Sequence, residues 1–241
     1  MCSYKNYKYT INFLSYYPHS EESIYRVLEL KSLKKIVFPA SCPAPEPMNF
    51  IEVNSARQIA EKGCLSYHSP TSTTNISLLN ESGIYCSIQT TCETLLMNST
   101  IIIKFEDNQK LLQSLNTHFF ELLFSEIVPI FKPFYASVYD SRSRTRYLPS
   151  GQHMIYRDKI SQRNYPFQIK WITYFGLEIL ETLGVERFRK LETCFKKYQL
   201  FQGILVILQE EAFEESNSLH RERREQAESE LGILEFFANS E

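Results

Sequence analysis

The only tryptophan of the 241-residue chain opens an apolar run, Trp171-Ile172-Thr173-Tyr174-Phe175, which passes Gly176 and continues from Leu177 to Leu183 before Gly184. Ile172, Phe175, Ile179 and Leu183 recur at helical spacing, and Gly184 can take a left-handed C-cap, so the spacing predicts a helix over 171–183. Downstream, residues 201–209 (Phe-Gln-Gly-Ile-Leu-Val-Ile-Leu-Gln) form an unbroken aliphatic run of strand length, which predicts a buried strand. Helix, reverse turn and buried strand require a packed interior. Trp171 and Phe175, one helical turn apart, are assigned to it, because aromatics of that size are mostly buried.

This order, a Trp-x-x-Tyr-Phe helix ending in Leu-Gly followed by a glycine-led aliphatic strand and an acidic stretch, resembles the immunity proteins of bacterial polymorphic toxin systems, in particular the immunity protein 52 family. The resemblance is firmest over residues 134–235. It implies a cognate toxin domain of the polymorphic effector class, frequently a nuclease, encoded beside this chain and inhibited by it.

A chain of this length can bury a sizeable core as one large domain or two small ones. Hydrophobic residues make up 43% and charged residues 22%, with 15 tyrosines and 17 phenylalanines, a composition that excludes disorder for most of the chain. No apolar stretch approaches the roughly 20 residues of a membrane helix, and residues 1–5 lack the apolar run of a secretory signal, so a cytoplasmic protein is expected. Cys2, Cys42, Cys64, Cys86, Cys92 and Cys194 are irregularly spaced, without a Cys-x-x-Cys, and suggest free, mostly buried thiols rather than disulfides or zinc. The seven glycines are too dispersed for a phosphate-cradling loop. No cofactor and no metal are expected.

Along the chain, residues 7–16 alternate as a strand. Ser20 with Glu21 and Glu22 predicts a helix start whose buried face holds Ile24, Val27 and Leu28. Residues 39–47 carry four prolines and suggest an extended loop, the best candidate linker. The runs 75–79, 84–90 and 100–105 predict an antiparallel meander. Leu112, Leu115, Phe119, Leu122, Leu123, Ile127 and Ile130 then predict an amphipathic helix ended by Pro129 and Pro133. The second half predicts a strand over 134–140, a polar loop to about 164, the Trp171 helix, a short helix over 185–191, two strands around 202–203 and a terminal helix from Asn217. Together these imply an α+β fold of antiparallel sheets with helices packed on them, a single domain 1–241 built as two similar halves, 1–133 and 134–241.

Two charged regions are candidates for chemistry. The loop 140–170 carries Arg142, Arg144, Arg146, Arg157, Lys159, Arg163 and Lys170 with Tyr147, Tyr156 and Tyr165 interleaved, a pattern suited to phosphates and stacked bases. A nucleic-acid-binding module using this loop is therefore the alternative reading, weakened by a net charge of −2. The C-terminal stretch sets Glu210, Glu211, Glu214, Glu215, Glu222, Glu225, Glu228, Glu230, Glu235 and Glu241 against Arg221, Arg223 and Arg224. Such a surface can steer and hold a basic protein such as a nuclease. Since residues 218–226 lack an apolar stripe, the terminal helix is expected to project at first and pack only from Ala227, Leu231 and Leu234 onward.

His153, Asp158 and Glu178 could supply acid, base and ligand, yet no paired spacing supports a catalytic set. His19, at a helix start, His68, in a loop, His118 and His220 have no sequence neighbour that would tune a proton transfer. The expectation is thus a non-enzymatic antitoxin that binds and occludes a toxin. Its contact residues are expected among Glu210, Glu211, Glu214 and Glu215 or, second, Arg142, Arg144 and Arg146.

Overall fold

A computed structural model of the protein describes residues 7–17, 19, 23, 26, 27, 30–33, 65–68, 73–79, 84–91, 99–107, 115–142, 155–157 and 163–238. The chain divides into two compact units, Met1–Pro133 and Phe134–Glu241. The fold is α+β, with antiparallel sheet and helices packed on it. The Ser20 helix start and the 39–47 linker lie outside the described residues, although Val27 is buried.

In the first unit the strands are β1 (Tyr7–Ser15), β2 (Leu65–His68), β3 (Thr73–Leu79), β4 (Ile84–Thr91) and β5 (Ser99–Glu106), neighbours in the order β1-β5-β4-β3-β2. Their pairings are antiparallel, with Ile11 opposite Ile103, Phe13 opposite Ile101, and Ile88 opposite both Ile76 and Ile101. The expected meander is present, and His68 ends a strand rather than lying in a loop. Alternation works as two-residue periodicity requires: Tyr9, Ile11, Phe13, Ile101, Ile103 and Phe105 are all buried.

Helix α1 (Thr117–Phe131) covers this layer, its Phe124 ring 4.9 Å from Phe13 and its Phe120 6.3 Å from Phe105. Asn116 caps it by accepting the Phe119 amide at 2.9 Å. The helix differs from expectation in two ways. Its buried face is Phe120, Leu123, Phe124, Ile127, Val128 and Phe131, so Leu122 points outward at 45% exposure. It also passes through Pro129 and stops at Lys132, which takes the left-handed conformation (φ 45°) just before Pro133. Within β4, burial pushes the Cys86 thiol up to about 12.

His19 stacks on Phe131, ring centroids 4.2 Å apart, and its Nε2 is buried without a hydrogen-bond partner among the described residues. Burial, aided by the Lys132 ammonium, lowers its pKa from 6.5 to about 4. A folded-state pKa depressed below the unfolded value gives stability that is fully present above 6.5 and lost as pH falls toward 4. Urea unfolding should therefore show stability declining across that window, and His19→Gln should flatten the decline. An identical pH profile in the variant would show that His19 is solvated in the native state.

In the second unit the strands are β6 (Tyr135–Asp140), β7 (Ile155–Arg157), β8 (Asn164–Pro166), β9 (Ile172–Phe175), β10 (Lys196–Leu200) and β11 (Gly203–Ile207), and the helices are α2 (Leu177–Leu183), α3 (Val185–Lys190), α4 (Ser218–Glu230) and α5 (Ile233–Ala238). The main sheet runs β10-β11-β9-β6, antiparallel throughout, and β7 pairs antiparallel with β8. The tryptophan segment is corrected by the structure. Residues 172–175 are a central strand buried on both faces, and only 177–183 are helical, with Gly176 as the N-cap. Gly184 does end that helix with a positive φ of 94°, but its ψ of 123° is not the left-handed cap. The helices pack on the sheet through aromatics, Phe188 of α3 lying 5.0 Å from Phe175. Gly203 opens β11 because a Cβ there would collide with the Phe175 carbonyl and the Tyr174 ring.

Candidate functional site

The acidic stretch leaves the sheet from β11, and what holds it is tryptophan. Trp171, 1% exposed, donates from Nε1 to the Gln209 carbonyl at 3.0 Å, and its own carbonyl accepts the Leu208 amide at 2.8 Å. Leu208 and Gln209 are thus fixed, and Glu210 and Glu211 emerge next to them, both exposed.

A second anchor lies at the far end of the stretch. Strand β6 ends at Asp140, which is fully buried although it is an aspartate. Its carboxylate accepts the Arg142 amide at 3.0 Å, Arg142 Nε at 3.0 Å and Nη2 at 2.8 Å, and the amide of Glu215 at 3.2 Å. A buried carboxylate survives only when its lone pairs are satisfied in this way. Glu215 in turn receives both terminal nitrogens of Arg224 on α4, at 2.8 and 3.1 Å, with the side chains 3% (Arg224) and 19% (Glu215) exposed. The Arg224 guanidinium lies 5.4 Å from the Phe213 ring centre, and Arg221 Nη1 donates to the Glu215 carbonyl at 2.6 Å.

This series of contacts alters the expected picture of the terminal helix. The helix begins where expected, Asn217 capping it through the Leu219 amide at 3.0 Å. Its inner half does not project. It is docked by Arg224 and Arg221 before Ala227 and Leu231 continue the burial. Three carboxylates of the stretch are also structural. Glu215 pairs with Arg224, Glu228 is buried and accepts the Ile169 amide at 3.2 Å, and Glu230 accepts the Glu192 and Thr193 amides, each at 2.8 Å. Glu214 is exposed, its amide donating to His220 Nδ1 at 3.0 Å.

No protein-family model matches the chain, and no curated protein does. Among solved structures it is similar to Pseudomonas aeruginosa T6SS protein PA0821, with 11% sequence identity, a TM-score of 0.53, and alignment over 93% of this chain and 73% of that one. At that identity the likeness is one of fold.

Of the basic loop, Arg142 is pinned to Asp140, while Arg144, Arg146, His153 and Asp158 lie outside the described residues. Lys170 Nζ lies 5.6 Å from the Tyr139 ring centre. Tyr165 is no stacking platform. It is buried edge-on against Phe134, centroids 5.6 Å apart. Glu178 occupies the first turn of α2. Among the described residues no group of three histidine, cysteine, aspartate or glutamate side chains could hold a metal, and no helix is long and apolar enough to cross a membrane. The contacts that sequence reasoning missed are Asp140 and Arg224. The second had a signal, since residues 224, 227, 228 and 231 share helical spacing and a charged residue on a buried stripe needs a partner.

Proposed function

We propose that the chain is an immunity protein, a non-enzymatic antitoxin that binds a cognate toxin domain and blocks it by occlusion. The observation carrying this reading is the acidic stretch itself. Glu210 and Glu211 are exposed and make no ion pair among the described residues, on a segment clamped at one end by Trp171 and at the other by Asp140 and Arg224. A rigid surface of free carboxylates suits a basic partner, and a nuclease groove must be basic to hold phosphates. The fold shared with a protein named as a T6SS protein is compatible with a toxin system, and so is the resemblance of residues 134–235 to immunity proteins.

Co-purification with the product of the adjacent gene, followed by binding kinetics, tests the proposal. Replacing Glu210 and Glu211 with glutamine should slow association roughly 3- to 10-fold at low ionic strength and flatten its salt dependence, because long-range attraction acts on the encounter. Unchanged kinetics, alongside a clear loss on replacing Arg142, Arg144 and Arg146, would move the interface to the basic loop. Retention of nucleic acid by the isolated protein at physiological salt would overturn the antitoxin reading.

A further inference from the structure

Beside the acidic stretch the second unit contains an open cavity of about 500 Å³. Its lining joins Cys194, Phe195 and Leu208 with the carboxylates of Glu192, Glu210 and Glu211. Resting on the antitoxin reading, we infer that this cavity is the subsite for one cationic side chain, arginine or lysine, of the protein partner.

Three independent features point to a cation on an alkyl stem. The first is charge: Glu192, Glu210 and Glu211 make no ion pair among the described residues, and Arg223, the single cation among the lining residues, leaves the lining net negative. The second is Phe195, a 53% exposed aromatic in the cavity lining that is open to a ligand. An aromatic ring face attracts guanidinium or ammonium, and Leu208 in the same lining suits methylene groups. The third is preorganisation. The Phe195 amide donates to the Leu208 carbonyl at 3.2 Å, and Glu230 holds the Glu192 and Thr193 amides on one wall. Trp171 holds Gln209 on the other. A wall already fixed loses little entropy when the ligand enters. The volume falls within the roughly 300–1,000 Å³ of ordinary ligand pockets, enough for a long side chain and part of its flanking backbone. Among the described residues no three histidine, cysteine, aspartate or glutamate side chains are grouped so as to hold a metal ion, so a divalent cation is not the occupant argued for.

Cys194 provides the test, because it is partly exposed and lines the cavity. The full-length protein is treated with iodoacetamide at mildly alkaline pH, and labelling of Cys194 is followed by peptide mass spectrometry with tri-arginine amide or tri-glutamate present. Tri-arginine should slow Cys194 labelling several-fold and tri-glutamate should not. The protection should vanish in the Glu210→Gln, Glu211→Gln variant and weaken in Phe195→Leu, which keeps an apolar side chain there but removes the ring. Equal labelling with and without tri-arginine, or protection that persists in the glutamine variant, would overturn the subsite. Binding to the toxin separates this inference from the reading beneath it. Phe195→Leu should raise the dissociation rate several-fold with association unchanged, since a seated side chain governs escape rather than encounter. Toxin bound with an unaltered dissociation rate in Phe195→Leu would remove the subsite and leave the antitoxin standing. Tri-arginine protection in a protein that captures no toxin would do the reverse.

Discussion

Trp171→Ala is expected to lower stability by about 3–5 kcal/mol, the range for deleting a fully buried large aromatic. The ring is 1% exposed at the start of β9, so its removal leaves a void that strands on both sides cannot close. The indole also satisfies the Gln209 carbonyl, and Gln209 already carries a buried side-chain oxygen without a partner among the described residues. Trp171→Phe should separate the two contributions. It restores most of the apolar contact but leaves that carbonyl unbonded, for a loss of about 1–3 kcal/mol. Chemical denaturation followed by circular dichroism measures both. Near-wild-type stability for the alanine variant would contradict the burial of the indole. Because Gln209 immediately precedes Glu210, the phenylalanine variant should also loosen the acidic stretch and weaken partner binding while the domain remains folded.

The same segment shows where sequence reading works and where it fails. Strand β1 was legible because one of its faces is more deeply buried, so Tyr9, Ile11 and Phe13 alternate with less apolar residues. Residues 172–175 have no such alternation. A strand buried on both faces is apolar at every position, and its Ile172 and Phe175 happen to extend the true helical spacing of Ile179 and Leu183 backwards. In α1 the periodicity was correct but the face was shifted, since Phe119, Phe120, Leu122, Leu123 and Phe124 leave the choice of stripe to the sheet beneath. The candidate surface was legible in composition and not in arrangement. Glu210 and Glu211 are exposed and make no ion pair among the described residues, as the acidic composition of the stretch suggests. Asp140 and Glu215 are 75 residues apart in sequence, and no local pattern signals that one accepts the amide of the other.

That long-range contact leads to the second large effect. Glu215→Gln should cost roughly 3–5 kcal/mol, because it leaves the Arg224 guanidinium 3% exposed and without its counter-charge. Arginine cannot escape by losing its proton, and the aromatic face of Phe213 replaces only part of the lost attraction. Arg224→Met should cost less, since Glu215, 19% exposed, can turn its carboxylate toward water. The double replacement Glu215→Leu, Arg224→Met should recover most of the stability, as buried ion pairs exchanged for apolar residues of similar volume often do. Unfolding of the three variants as a double-mutant cycle gives the coupling directly. The outcome decides how the acidic surface can be probed. If Glu215→Gln is destabilising, a variant changed at Glu210, Glu211, Glu214 and Glu215 together loosens the segment it was meant only to neutralise, and slower association in it reports disorder as much as charge. If Glu215→Gln is as stable as the wild type, Arg224 does not dock the start of α4, and that helix projects as its lack of an apolar stripe implies.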